Sequence, residues 1–487
     1  MTTLEKVKTE WFSNVKGDVL AGIVVALALI PEAIAFSIIA GVDPMVGLYA
    51  SFCISIVIAF IGGRPGMISG ATGAMALLMV TLVAEHGLEY LLAATILTGV
   101  LQILFGVFRL SVFMKLVPRS VMIGFVNALA ILIFTSQLQH FVGETWVMYS
   151  LVALTLAIIY ILPRFTRAIP STLVAIVVVT ALAIFMNFGV RTVGDMGTLP
   201  STLPIFLIPD IPLNLDTLAI IFPYSLALAV VGILESLLTQ NIVDDMTDTE
   251  SDKNKESRGQ GIANVTTGFF GGMAGCAMIG QSVINVKSGA TGRLSSLTAG
   301  IVLLGMIITL QGVVVQIPMA ALAGIMIMVS IGTFDWSSLM NIHRIPRSDA
   351  AVMITVVSVV VYTHDLSIGV FAGIIMSALF FAWKISKVKV EEHFDMKTNA
   401  MTYEVHGQLF FASVEDYLDQ INFDADVQKV TIDLSNAHLW DDSAVGAIDK
   451  TEHKFEQRHI EVAITGMNKE STKLMDKIGG LSKASGH

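Results

Sequence analysis

The chain has 487 residues, of which 54% are hydrophobic and only 14% are charged. Its mean hydropathy of +0.75 excludes an ordinary soluble globular protein. Apolar runs long enough to cross a bilayer recur along the first four fifths of the chain, which is typical of a polytopic helical membrane protein. The formal net charge of −10 says little about the substrate, because whole-chain charge does not report the local field of a buried site.

The hydropathy pattern predicts fourteen transmembrane segments, seven in each half of the chain. Residues 1–17 are polar and carry three lysines, so the N-terminus is predicted to be cytoplasmic. An even number of spans returns the C-terminus to the same side. The predicted spans are 18–40, 44–62, 68–84, 88–108, 119–141, 145–162, 170–189, 217–240, 260–275, 277–290, 294–312, 317–332, 349–364 and 367–386.

These spans divide the chain into five predicted regions. They are a cytoplasmic segment (1–17), a first transmembrane repeat (18–197), a connector (198–216), a second repeat (217–387) and a soluble tail (388–487). The connector contains four prolines and cannot be helical throughout.

The second half repeats polar features of the first. Glu32 lies in span one and Glu235 in span eight, while glycine-interrupted segments at Gly70–Ala74 and Gly271–Gly280 fall near spans three and ten. With an odd number of spans per half, the two halves insert with opposite topology. Paired interrupted segments in an inverted repeat are the best sequence indication of a transporter's midplane site.

The stretch Gly66–Val80 begins as a small, hydroxyl-bearing segment and continues as an apolar helix. Broken backbone at membrane depth is tolerated only where it is buried in protein or lines a cavity. The N-terminus of a half-helix there would present free N–H groups to an anion. Close packing of helices through small residues is the alternative, and the second interrupted segment favours the functional interpretation.

Glu235 and Thr239 lie one helical turn apart near the centre of span eight, so their oxygens share a face. Carboxylates inside a bilayer are costly and usually mark an ion path or a proton relay. The pair could coordinate a small cation, or burial could favour a protonated Glu235 that carries the coupling proton. A structural hydrogen bond between helices is the third alternative.

Three further polar side chains are candidates to support this site. Glu32 follows Pro31, whose kink frees backbone groups that could border a cavity, or that the glutamate could simply satisfy. Gln281 and Ser282 lie next to the break in span ten and could equally be polar contacts between helices.

Other features predict structure rather than chemistry. Asp244, Asp245 and Asp248 fall in a predicted soluble loop and favour a solvated face over a metal site. Cys53 and Cys276 are interpreted as core packing. Nucleophile-elbow, P-loop, dinucleotide and nucleic-acid-binding patterns are absent from the sequence. We therefore expect neither an enzyme nor a metal protein, and no cofactor beyond a coupling proton or sodium ion.

The tail alternates predicted strands and helices, which favours a small α/β domain with a largely parallel sheet. A strand pair is predicted within Met401–Phe411, a strand at Val427–Leu434 and a helix at Asp442–Arg458. Ser443, at the turn before that helix, is interpreted as a cap, with phosphorylation as the alternative.

Three segments and the tail resemble the SulP family of anion transporters with a C-terminal STAS domain. The segments are Ala28–Ala50, Ile68–Met75 and Asn285–Gly289, and the tail includes the family's Asp-Ser turn at residues 442–443. The resemblance covers nearly the whole chain. It implies a 7+7 inverted repeat with core and gate domains, elevator-like alternating access, a homodimer and a cytoplasmic STAS domain that could bind a regulatory protein.

The resemblance also implies where the substrate binds. The family's anion site falls on Ala71, Thr72 and Gly73 in span three and on Ala277, Met278 and Ile279 in span ten. Sodium-coupled bicarbonate members carry an aspartate where Glu235 stands and a span-ten hydroxyl that this chain lacks. These departures favour proton coupling.

The predicted function is secondary active transport of sulfate, bicarbonate or a small dicarboxylate across the plasma or inner membrane. A nucleobase permease of the same fold is one alternative. An anion channel, or a membrane scaffold whose STAS tail binds a partner, is another.

Overall fold

The structure is a computed structural model that describes residues 3–112, 117–166, 170–199, 202–212 and 214–478. The chain divides into two compact units, residues 1–374 and 375–487. Parts of the predicted connector (200, 201 and 213) and the end of the predicted tail (479–487) lie outside the described residues.

In its described residues, the first unit consists of helices, their connections and two short strands. Its elements, in chain order, are α1 (Thr3–Phe12), α2 (Val15–Ala40), α3 (Pro44–Ile61), β1 (Ser69–Gly70), α4 (Gly73–His86), α5 (Leu88–Val107), α6 (Arg119–Leu138), α7 (Trp146–Ile161), α8 (Ser171–Met186), α9 (Leu215–Thr247), α10 (Lys253–Phe269), β2 (Cys276–Ala277), α11 (Ile279–Lys287), α12 (Leu294–Val314), α13 (Met319–Thr333), α14 (Trp336–Met340), α15 (Arg347–Thr363) and α16 (Leu366–Ile385), whose second half belongs to the second unit.

Each predicted span has a helix in the structure. Among the described residues, eight helices are long and apolar enough to cross a membrane, and α4, α8 and α13 are shorter apolar helices. Local chemistry fixes several ends: Asn14 caps α2 by accepting from the Gly17 N–H, and Gly41 ends that helix with a φ of 79°. Pro44 occupies the first turn of α3, where its missing N–H is not needed.

The helices of the first unit pack in two groups. Helices α2–α5 pack mainly with α9–α12, whereas α6–α8 pack mainly with α13 and α15. Each half of the chain thus gives its first four helices to one group and later helices to the other. This arrangement agrees with the inverted repeat and with a core and a gate.

Helices α5 and α10 approach each other closely at two glycines. A Cβ on Gly99 would lie 2.4 Å from the Gly261 carbonyl oxygen, and a Cβ on Gly261 would lie 2.5 Å from the Gly99 carbonyl oxygen. Small residues at such a crossing let the backbones meet, which is how helices pack inside a membrane.

The helix at the ninth predicted span, 260–275, has different bounds in the structure. Helix α10 begins at Lys253 and ends at Phe269, while α9 continues to Thr247, so the stretch predicted as a soluble loop is mostly helical. Glu256 is fully buried. The hydropathy pattern did not predict the start of α10, because polar side chains there, such as Glu256, make hydrogen bonds inside the protein.

Asp244 also differs from its predicted solvated position. Its side chain is only 17% exposed and lies 3.2 Å from the Arg64 guanidinium. Both of its carboxylate oxygens accept from the Ser251 hydroxyl. Among the described residues, no group of three metal-ligating side chains is present.

The second unit contains an α/β domain with a four-stranded sheet in the order β3-β4-β5-β6. Its strands are β3 (Lys389–Asp395), β4 (Ala400–Leu409), β5 (Lys429–Leu439) and β6 (Glu461–Thr465), and its helices are α17 (Val414–Asp419), α18 (Asp442–Glu456) and α19 (Lys469–Ile478). Only β3 and β4 are antiparallel, so the sheet is largely parallel as predicted.

Two details of this domain were predicted wrongly. The expected strand pair within Met401–Phe411 is the single strand β4, and its antiparallel partner is β3. Asp441, not Ser443, caps α18, because its carboxylate accepts from the Ala444 N–H at 3.0 Å. Ser443 is exposed in the first turn.

The glycine crossing generates a stability prediction. Gly261→Ala should lower the thermal unfolding temperature of the purified protein, because its Cβ meets backbone atoms that cannot move aside, a strain of about 1–3 kcal/mol. Gly305→Ala is the matched control, since a Cβ there meets open space on α12. Equal unfolding temperatures for the two variants would contradict the close crossing.

Candidate functional site

The two glycine-interrupted segments meet in the structure. Strands β1 and β2 pair antiparallel, with Ser69 opposite Ala277 and Gly70 opposite Cys276. The Met278 N–H extends the contact by donating to the Ile68 carbonyl at 2.8 Å. A Cβ on Gly275 would lie 2.1 Å from the Gly70 carbonyl oxygen, so this crossing requires glycine.

The pairing turns two helix N-termini toward each other. Helix α4 begins at Gly73, just after β1, and α11 begins at Ile279, just after β2. Because the strands are antiparallel, the helices leave the crossing in opposite directions. Their positive dipole ends therefore both lie at the crossing, which is the arrangement that favours an anion.

The two N-termini are capped differently. Thr72 caps α4, and its hydroxyl accepts from the Met75 N–H at 3.4 Å. Met278 is the N-cap residue of α11 and its side chain makes no capping hydrogen bond. A helix end without a side-chain cap leaves its first N–H groups for water or a ligand.

The six predicted substrate residues fall into two sets. The N–H groups of Ala71, Ala277 and Met278 are already used, since they donate to Ser51 Oγ, Ser236 Oγ and the Ile68 carbonyl. The N–H groups of Thr72, Gly73 and Ile279 donate to no other group in the described part of the chain. The first set holds the crossing together, and the second is available to an anion.

The surroundings of these donors are partly apolar and partly open. A Cβ on Gly73 would lie 2.9 Å from both Phe36 of α2 and Ile133 of α6, so both helix groups border the start of α4. At Gly280, in the first turn of α11, a Cβ would meet open space, and this residue is exposed. The N-terminal end of α11 is therefore exposed on one side and not enclosed by neighbouring side chains.

Glu235 lies beside this crossing. Its side chain is buried, and its Oε2 accepts a hydrogen bond from the Cys276 thiol at 2.9 Å. The same sulfur lies 3.2 Å from the Thr72 hydroxyl. Two hydrogen bonds thus join the Glu235 carboxyl to the cap of α4.

Thr239 is buried one turn beyond Glu235 on α9, as predicted. Its hydroxyl donates to the Glu235 backbone carbonyl at 2.8 Å and makes no hydrogen bond to the carboxylate. The Thr239 hydroxyl and the Glu235 carboxylate thus lie on the same helix, and the hydroxyl is hydrogen-bonded to the helix backbone.

The three supporting residues have separate positions. Gln281 donates to Glu32 Oε1 at 2.7 Å and so joins α11 to α2. Its own Oε1 is buried and accepts no hydrogen bond from any described residue. Ser282 exchanges hydrogen bonds with the Ile68 backbone at 3.0 and 3.3 Å, which holds the chain just before β1.

Sequence reasoning missed several residues that build this site. The sequence suggests core packing for Cys276, yet its thiol forms hydrogen bonds with the Glu235 carboxylate and the Thr72 hydroxyl. Glu256 and Gln260 lie on α10, and Gln260 joins Glu256 to the Ser69 hydroxyl through bonds of 2.9 and 2.7 Å. Asn264 lies one turn further along α10. Its side-chain amide donates to the Gly275 carbonyl and accepts from the Gly275 N–H. The helical spacing of these three α10 residues was the available signal.

Comparisons with known proteins give a consistent result. Residues 15–154 and 145–356 match the model of the sulfate permease family, and residues 390–483 match the STAS domain. The protein named "Putative sulfate transporter YbaR" from Bacillus subtilis (strain 168) is 60% identical over 471 residues, which is 97% of this chain and 98% of that protein.

Two more distant proteins extend the comparison. The bicarbonate transporter BicA of Picosynechococcus sp. is 30% identical and covers 78% of this chain and 72% of its own length. The overall structure of SLC26A9 superposes with a TM-score of 0.83, covers 99% of this chain and 89% of that chain, and is 15% identical. The last comparison concerns the fold alone.

The hydrogen bond from the Cys276 thiol to Glu235 leads to a prediction that separates hydrogen bonding from packing. Cys276→Ala should lower the thermal unfolding temperature, because a buried carboxylate that loses its donor costs about 1–3 kcal/mol. Cys276→Ser, which keeps a donor, should recover most of the loss. Cys53→Ala is the control, because this second buried cysteine has no hydrogen bond to Glu235. If Cys276→Ser unfolds as early as Cys276→Ala, the thiol acts by packing.

Proposed function

This chain belongs to the sulfate permease family, and we propose that it is a secondary active transporter of an inorganic or small carboxylate anion. Its relatives are transporters and not enzymes, so the sequence-based predictions of family, fold class and multi-pass membrane location are confirmed. The observation that carries the proposal is the meeting of two helix N-termini at the β1–β2 crossing, with α11 uncapped.

The anion binds through the free N–H groups of Thr72, Gly73 and Ile279. Backbone donors recognise the charge and size of an anion more than its chemical identity. Such a site suits sulfate, bicarbonate or a dicarboxylate. The named relatives, a sulfate and a bicarbonate transporter, support this substrate class. Ala71, Ala277 and Met278 hold the donors in place through their own hydrogen bonds.

Glu235 carries the coupling proton. A sodium ion needs several oxygen ligands, but this carboxylate accepts a hydrogen bond from the Cys276 thiol, a soft ligand that suits such a hard cation poorly. The Thr239 hydroxyl is turned to the Glu235 backbone carbonyl and makes no hydrogen bond to the carboxylate. A carboxyl that exchanges a proton needs only the hydrogen-bond partner that is present.

Proton loss and anion binding are linked through Cys276. When Glu235 is ionised it accepts from the thiol, and when it is protonated it gains a donor of its own. The change passes through Cys276 to the Thr72 hydroxyl, two hydrogen bonds away, at the start of α4. The anion site therefore senses the charge of Glu235.

Transport proceeds by an elevator-type movement. Both half-sites, α4 and α11, belong to the helix group α2–α5 and α9–α12, so the two sets of donors move together. The other group, α6–α8 with α13 and α15, borders the site through Ile133 and remains as the gate. We assign the protein to the cell membrane as a homodimer with both termini cytoplasmic, where the STAS domain binds a regulatory protein.

Uptake by the purified protein in liposomes tests this function. Sulfate, bicarbonate, chloride and fumarate are offered in turn under an inward proton gradient and then under a sodium gradient. We expect one anion to accumulate with the proton gradient, saturably, and excess uracil not to compete. Uptake that requires sodium would contradict the proton assignment, while non-saturable flux would indicate a channel.

Glu235→Gln tests the coupling residue in the same liposomes. Without a titratable group, gradient-driven accumulation should fall to background, a loss of about 10²-fold or more as for removal of an essential proton-transfer group. Exchange of the anion across the membrane should continue, because the N–H donors are unchanged.

Glu32→Gln is the matched control, since this carboxyl borders the site through Gln281 and lies outside the Glu235–Cys276–Thr72 chain. Its gradient-driven accumulation should persist. Normal accumulation by the Glu235 variant would exclude Glu235 as the proton carrier.

A further inference from the structure

A polar cavity lies between α6 and the α14–α15 region, and residues of the β1–β2 crossing do not line it. It has a volume of about 290 Å³. Its wall carries Arg119 and Ser120 from α6, Asp335 and Ser338 from the start of α14, and Asp349 from α15. None of these residues takes part in the anion site.

One side of the cavity is suited to a phosphate group. Helix α6 begins at Arg119 after Pro118, which provides no side-chain cap. Ser120 is only 9% exposed, and its hydroxyl has no hydrogen-bond partner among the described residues. A buried hydroxyl without a partner, at an uncapped helix N-terminus beside an arginine, is a set of donors that lacks its acceptor.

Other groups in the cavity are suited to a cation. Asp335 uses Oδ1 to cap α14 by accepting from the Ser337 and Ser338 N–H groups, and its Oδ2 has no partner in the described part of the chain. Asp349 lies in the first turn of α15. No ion pair joins Arg119 to either carboxylate within the described ranges.

The edge of this region carries apolar side chains of the kind found at a membrane surface. Trp336, Leu339 and Met340 of α14 are each at least half exposed, and the Trp336 indole N–H donates to the Ile331 carbonyl. A tryptophan with exposed apolar neighbours beside a transmembrane helix end is typical of the bilayer interface. The cavity is therefore within reach of lipid headgroups.

We propose that this cavity binds the zwitterionic headgroup of phosphatidylethanolamine, with its phosphate on Arg119 and Ser120 and its ammonium on Asp335 and Asp349. A primary ammonium supplies three donors to the carboxylates. A purely anionic headgroup would leave both carboxylates unpaired and repel them. A quaternary ammonium has no N–H to donate and prefers aromatic faces, and the described lining contains no aromatic residue.

The test uses the full-length purified protein and native mass spectrometry of bound lipid. Phosphatidylethanolamine, phosphatidylglycerol and phosphatidylcholine of identical acyl chains are offered in equal amounts. We expect phosphatidylethanolamine to be retained about tenfold more than either competitor. Equal retention of the three lipids, or preference for another, would overturn the assignment.

Variants locate the lipid. Arg119→Gln and Asp349→Asn should each reduce retention of phosphatidylethanolamine about tenfold, the loss of one charge-assisted contact. Arg347→Gln is the control, because it removes an exposed arginine of the same region that does not line the cavity. Equal retention by Arg119→Gln and Arg347→Gln would overturn the proposal.

Two further measurements separate folding and ligand source from binding. Ser120→Ala removes a hydroxyl that makes no bond in the described protein, so it should keep the unfolding temperature and still weaken lipid retention. Unchanged retention would overturn the phosphate side of the site. Soluble phosphoethanolamine that binds as tightly as the lipid would overturn the membrane source.

Discussion

The antiparallel pairing of β1 with β2 is the contact on which the rest of the membrane unit depends. Two residues from each half of the chain form it, and it fixes where α4 and α11 begin. A membrane interior supplies no water to satisfy exposed backbone groups, so the broken segments satisfy each other. The N–H groups of Thr72, Gly73 and Ile279 are left without an acceptor in the described part of the chain.

Buried polar side chains of α3 and α10 support this crossing. Ser55 donates to the Ser69 carbonyl at 2.8 Å, Gln260 donates to the Ser69 hydroxyl, and Asn264 holds both backbone groups of Gly275. Each contact would be costly to leave unmade at this depth. The network explains why α10 is polar along one face and still lies inside the protein.

The repeat, the interrupted segments and the acid on span eight could be predicted from the sequence, because glycine patterns and isolated carboxylates stand out against apolar spans. Thr72 and Gly73 were placed correctly at the start of a half-helix. The role of Cys276 could not be predicted, since its partners come from α4 and α9, far away in the chain.

The predicted bounds of helices and strands were wrong where tertiary contacts override local composition. The start of α10 has the low hydropathy of a loop, but Glu256 accepts from the Gly63 and Arg64 N–H groups and is buried. In the STAS domain, β3 carries charged residues on exposed positions, so its pairing with β4 was not visible in the pattern. Asp441 and Ser443 are both ordinary capping residues, and only the backbone geometry separates them.

The central claim is that backbone N–H groups bind the anion, and a proline at position 279 tests it most directly. Ile279→Pro removes one free donor at the first helical position, where proline is well tolerated, and Met278 already has a φ of −105° and a ψ of 114°, close to what a following proline requires. Ile279→Ala loses the same side chain but keeps the N–H. We predict about tenfold weaker anion affinity for the proline variant than for the alanine variant, at equal unfolding temperature. Equal affinities would show that this backbone donor does not bind the anion.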